Sequence, residues 1–244
     1  MGLDVYVGPL TRYTLGDWLT IVQQAGRASG HDVQIVRTTP VPAAAITDLA
    51  VVTDAVESWQ RGLLAALGAG EPWPDQAGLP YSTDKPDWDG YGGLVLLAAY
   101  DERLDLRPGQ RTGLLGRKLT PDAARSFAES KAYQSAAKAP VKYPTLLSGV
   151  EWWLPLSEGP TVFTAPRLTG QPTKMGRVDQ LVAEVQELAG RMGLTAKRDL
   201  DAIRRDGPPP RDTDVVLDGK FGIAVFLKLA CEAARLRAPL LLDY

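Results

Sequence analysis

Trp88-Asp89-Gly90-Tyr91-Gly92-Gly93-Leu94-Val95-Leu96-Leu97-Ala98-Ala99-Tyr100-Asp101-Glu102 is the stretch that decides the fold. Its centre, Leu94 to Ala99, is apolar on every side, which at helical pitch places a helix inside a core rather than along its edge. Tyr91 to Arg103 therefore reads as a central buried helix. Gly92-Gly93 would let its first turn approach a neighbour closely. Acids stand at both ends. Asp89 reads as an N-cap, and Asp87 as a charge favoured by the positive end of the helix dipole. Asp101 and Glu102 fall in the last turn, where the dipole disfavours them by about 0.3–1 kcal/mol. A local rule broken beside a buried element marks a place to look for chemistry. Ion pairing with Arg103 and Arg107 is the structural alternative.

Outward from this helix, apolar residues recur at three- and four-residue steps from Asp48 to Leu67, through Leu49, Val52, Val56, Trp59, Leu63 and Leu67. That spacing predicts a helix with one buried face, stopped by Gly68. Further helices are expected over a segment carrying Trp18, Ile21, Val22 and Ala25, over Thr120 to Lys138, over Arg177 to Met192 and over Lys220 to Arg237. Strands are expected at Leu3–Val7, at Asp32–Arg37 and at the close, Pro239–Tyr244. Glu151–Leu156 and Thr161–Ala165 read as a hairpin joined by Ser157-Glu158-Gly159-Pro160. Strands and helices do not alternate strictly, so a doubly wound parallel sheet is not favoured. The expectation is an α+β fold, one domain over 1–244, with five or six helices around a small mixed or antiparallel sheet.

The 244 residues include 27 Lys plus Arg, 29 Asp plus Glu, one His, one Cys and no Asn. One His and one Cys exclude metal sites made of several such ligands, iron–sulfur clusters and an intrachain disulfide. Without Asn there is no N-glycosylation site. A net charge of -2 leaves no basic footprint for nucleic acid. No apolar run approaches the ~20 residues that span a bilayer, and the first residues lack the basic n-region of a signal peptide. A cytoplasmic protein that binds neither nucleic acid nor membrane is expected; its oligomeric state is not legible.

Catalytic signatures fail one by one. Gly109 to Lys118 has the glycines of a phosphate loop but no hydroxyl after Lys118. Gly68-Ala69-Gly70 follows a helix and lacks the third glycine of a dinucleotide fingerprint. His31, between Gly30 and Asp32, reads as an exposed turn residue, and Cys231, near Phe226, Leu227 and Ala230, as a small buried thiol. No cofactor and no resident metal ligand set is expected. Two features remain. One is the acidic, proline-rich loop from Glu71 with Asp84, Asp87, Trp88, Asp89 and Tyr91 as candidate binding residues; loops of this length are often functional or disordered. The other is Trp152-Trp153. Adjacent strand residues face opposite sides, so one Trp belongs to the core. The second faces solvent, a ligand or a partner, unless a helix covers it.

Met1-Gly2-Leu3-Asp4-Val5-Tyr6-Val7-Gly8 with Leu10-Thr11-Arg12-Tyr13, the central Trp88-Asp89-Gly90-Tyr91-Gly92-Gly93 to Tyr100-Asp101-Glu102, and the closing Ala238-Pro239-Leu240-Leu241-Leu242-Asp243-Tyr244 together resemble a family of uncharacterised bacterial proteins of similar length. The resemblance implies one domain and carries no activity. Two functional readings follow. The first is a non-enzymatic protein-interaction module, regulatory or immunity-type, binding through the acidic loop and the paired Trp. The alternative is a carboxylate-dependent enzyme, a divalent-metal hydrolase of a small molecule, built on Asp84, Asp87, Asp89, Asp101 and Glu102, with Asp101 and Glu102 as catalytic residues.

Overall fold

Both termini of the chain meet in one sheet. The computed structural model describes residues 2–31, 48–107, 127–210 and 214–244. Its strands are β1 (Asp4–Val7), β2 (Ser82–Asp84), β3 (Trp152–Leu154), β4 (Val162–Pro166), β5 (Pro172–Arg177) and β6 (Leu240–Asp243). Their order in the sheet is β2-β1-β6-β3-β5-β4. Every neighbouring pair is antiparallel except β3 and β5. The helices are α1 (Leu10–Leu15), α2 (Ile21–Ala28), α3 (Leu49–Leu67), α4 (Asp87–Glu102), α5 (Lys131–Ala136), α6 (Pro144–Leu147), α7 (Val178–Arg191), α8 (Lys197–Asp206) and α9 (Val215–Leu236). The fold is α+β with a mixed sheet. Six of these nine described helices are eight residues or longer; α1, α5 and α6 are short turns.

Helices cover both faces of the sheet. On one, α4, α7 and α9 pack over Val5, Val7, Trp153, Leu240 and Leu242. On the other, α3 packs over Tyr6, Trp152, Met175 and Leu241. The sheet's period of two sorts these residues: Trp152 and Leu241 face one way, Trp153 and Leu240 the other. α4 is the central buried helix that its apolar girdle predicts, with Gly90 to Tyr100 all buried. It lies tight against α9. A Cβ on Gly93 would collide with the Gly219 backbone, and one on Gly222 with the carbonyl of Gly90. Glycine on both helices is what lets the backbones touch.

Several expectations need correction. Trp152–Leu154 and Val162–Pro166 are strands but not hairpin partners, because β5 lies between them. The hairpin is β4–β5, closed by Arg167–Gly170, where Arg167 N–H donates to the Gln171 carbonyl and Gly170 adopts φ 82°. The segment around Trp18 splits into α1 and α2 at Gly16, whose φ of 69° ends α1. α2 then starts from Thr20, which forms a capping box with Gln23. The described part of the expected 120–138 helix is a 3-10 turn, Phe127–Glu129, followed by α5; the expected strand at 32–37 lies outside the described residues. Cys231 is exposed on α9, not buried. The long loop after α3 is stapled down: Asp75 accepts from Leu10 N and Thr11 N at 2.8 Å each, so it caps α1 from 64 residues away. No described helix is long and apolar enough to cross a membrane.

Candidate functional site

α4 begins at Asp87, two residues before the expected cap. Pro86 precedes it without a side-chain cap, and Asp87 takes φ 53°, a left-handed conformation that Asp tolerates. Asp89 is therefore a first-turn residue and not the N-cap. Lys85 Nζ lies 3.6 Å from the Asp87 carboxylate. Asp84, one turn of chain earlier, ties β2 to two helices: Lys228 Nζ is 3.4 Å and Arg204 Nε 3.8 Å from its Oδ2. Tyr91 is buried and stacks on Phe226 at 5.6 Å. Burial pushes its hydroxyl pKa upward. Asp84 and Tyr91 are thus structural.

The acids at the other end of α4 also hold structure. Asp101 Oδ2 accepts from Lys142 Nζ at 3.0 Å and Tyr143 OH at 2.9 Å, with Arg191 Nε at 4.0 Å. Burial pushes the Asp101 carboxyl up, but these donors outweigh it and hold it below the ordinary value. Glu102 accepts the backbone N–H groups of Val141 and Lys142, both at 2.9 Å. The expected partners were Arg103 and Arg107; Arg103 instead pairs with Asp105. Fourteen residues of helix put Asp101 ~21 Å from Asp87, so the two acidic groups cannot share a substrate.

Neither Trp of the pair is free for a partner. Trp153 is fully buried among the α9 side chains, its ring 6.2 Å from Phe226. Trp152 is 3% exposed, enclosed by Trp59 and Tyr13 at 6.2 and 6.3 Å. α3 covers the face that the sequence left open.

What remains accessible is Trp88, 39% exposed, and its contact with Tyr244 at 5.2 Å, itself 57% exposed. These rings stand at the end of the sheet where β1 starts and β6 finishes. Two hollows flank them. The first, about 260 Å³, is lined by Asp87, Trp88, Asp89, Asp218, Phe221 and the prolines 208 and 209. Its carboxylates repel one another. Burial, then Asp89 and then Asp214 push the Asp218 carboxyl to about 6. Among the described residues no cation pairs with Asp89, Asp214 or Asp218. Asp4 is likewise raised, by burial above all, with Asp243 and Asp87 adding to it against Lys85.

The second hollow, about 460 Å³, carries Tyr13, Glu151, Arg167, Thr173, Asp243 and Tyr244. Arg167 pairs with Glu151, donates to Thr173 and lies over the Trp152 ring at 5.2 Å. Tyr13 OH donates to Asp243 at 2.7 Å. Sequence reading missed this group, because it gathers only when β6 enters the sheet beside β3. Tyr13, Asp243 and Tyr244, in the stretches quoted for the resemblance, are the signal the sequence holds within it. No described group of three His, Cys, Asp or Glu is arranged to hold a metal ion.

No protein-family model matches the chain, and no match is found among curated proteins or solved structures.

Proposed function

We propose that the chain is a cytoplasmic protein-interaction module, regulatory or immunity-type, that docks a basic segment of a partner protein on the Trp88–Tyr244 edge. The observation that carries this reading is the exposed ring pair set beside Asp89 and Asp218, two carboxylates with no counter-ion among the described residues. Exposed Trp and Tyr supply large contact area at a hot spot, and an unbalanced negative field favours lysine and arginine side chains over acidic ones. The docking residues are Asp87, Trp88, Asp89, Asp218 and Tyr244. Trp152 and Trp153 no longer belong to the proposal.

The test is co-purification from native cells with wild type and with Trp88→Ala/Tyr244→Ala. A partner held by wild type, lost by the double variant and released as salt screens the charges supports the reading. No partner, or one indifferent to the variant, counts against it. The enzymatic alternative retains one observation, the Asp89–Asp218 pair, in which one carboxyl is raised to about 6 beside another. Such pairs serve acid–base catalysis. Asp101 and Glu102 play no part in that version.

A further inference from the structure

The 460 Å³ hollow has a composition that the docking reading does not use. It falls within the ~300–1,000 Å³ range of small-molecule sites. Arg167 is fixed from three sides, by the Trp152 ring, Glu151 and Thr173. A guanidinium has five N–H donors; two are spent on Glu151 and Thr173, and the Nη1 pair is given to no described partner. Asp243 Oδ1 accepts a hydrogen bond from Tyr13 OH, while Oδ2 has no partner among the described residues. Arg167 and Asp243 both line the hollow, which therefore brings together donors suited to a carboxylate and an acceptor suited to an ammonium group.

Charge decides among ligand classes. A simple anion would meet an arginine already neutralised by Glu151 and be repelled by Asp243. A simple amine would leave the Arg167 donors unused. A molecule with both charges a few bonds apart satisfies both. We propose that this hollow binds a free α-amino acid, its carboxylate on Arg167 and its ammonium on Asp243. Bidentate pairing of the carboxylate with one Nη1 N–H and the remaining Nη2 N–H gives the seat its orientation. The hollow is open to solvent, so binding is weak. Tyr244 lines the hollow and also touches Trp88, which places the ligand beside the docking edge. The inference does not depend on that edge having a partner.

The experiment is titration of the full chain with each standard α-amino acid to about 10 mM, followed by backbone amide shifts. At least one should saturate, with shifts centred on residues 151, 167 and 243. Its N-acetyl and methyl ester derivatives should each bind at least about ten-fold more weakly, since each removes one charge. These arms use the wild-type protein, so they do not depend on a variant folding. Arg167→Met and Asp243→Asn should each weaken binding by a similar factor. The proposal fails if no amino acid saturates, if either derivative binds as well as its parent, or if inorganic phosphate competes as strongly.

Discussion

The two ends of α4 carry the same residue type and treat it in opposite ways. At the C-terminal end the dipole works against Asp101 and Glu102, yet Lys142, Tyr143, Arg191 and two backbone N–H groups surround them. At the N-terminal end the dipole favours Asp87 and Asp89, yet Asp89 shares a hollow with Asp218, whose carboxyl both Asp89 and Asp214 push up, and neither Asp89 nor Asp218 has a cation among the described residues. The sequence marks the first pair as suspicious because it breaks a propensity rule. The structure shows that broken rule repaired by partners. Function is better sought where a favourable position has been left without compensation, and that is the Trp88 end.

The largest expected effect lies between the two ends. Gly93→Ala or Gly222→Ala drives a methyl group into backbone of the facing helix, which cannot move aside as a side chain can. Each should cost about 3 kcal/mol in urea unfolding. It should also part Asp218 from Asp89, since Gly219 is the contact that Gly93 accepts. A cost below about 1 kcal/mol would mean that α4 and α9 do not touch as described. Asp101→Asn should come next, at about 1–2 kcal/mol near pH 7. Its pH dependence is fixed by sign. A carboxyl whose pKa is lowered by folding stabilises above its ordinary value of 3.8, and that stabilisation is lost as pH falls through the folded pKa. The penalty of the variant should therefore shrink in acid. Glu102→Ala should cost about 1 kcal/mol, for two backbone N–H groups returned to water. No loss in either variant would erase the contrast between the ends.

The elements with their own periodicity or caps are legible without coordinates. α3 has its apolar stripe, an Asp48 cap and the left-handed Gly68 that stops it. α4 has its girdle, and α9 its apolar run, although α9 starts at Val215 under an Asp214 cap, five residues before the sequence suggested. β2 and β5 are illegible for a shared reason. Ser82-Thr83-Asp84 is too short to show alternation, and Pro172-Thr173-Lys174-Met175-Gly176-Arg177 has weak strand formers. Their strand identity comes from neighbours that sequence order does not bring together. The same holds for the sites. Asp87, Trp88 and Asp89 are contiguous, so the sequence shows them together. Asp218 joins them through a helix contact more than a hundred residues away, and Arg167 meets Asp243 only through the sheet order. Trp152 misled because the α3 stripe does not say which strand it covers.

The smallest effect is the sharpest test of the comparison, because its sign is opposite to that of Asp101→Asn. Asp218 has a carboxyl raised to about 6 by burial and by Asp89 and Asp214. A carboxyl raised by folding contributes stability that is full below its ordinary 3.8 and is lost as pH rises through the folded value. Above pH 6 the ionised Asp218 opposes the fold. Asp218→Asn should then stabilise the protein at pH 8 by about 0.5 kcal/mol, a figure discounted because the group is partly solvated. At pH 4 the gain should vanish, since the wild-type carboxyl is already protonated there. Urea midpoints of both proteins at the two pH values measure this directly. A loss of stability at pH 8 would mean that Asp218 has a structural partner, as Asp101 does, and the two ends of α4 would no longer differ. A gain confined to high pH would leave the N-terminal acids as charge the fold tolerates rather than uses, which is the property a docking surface for a basic partner requires.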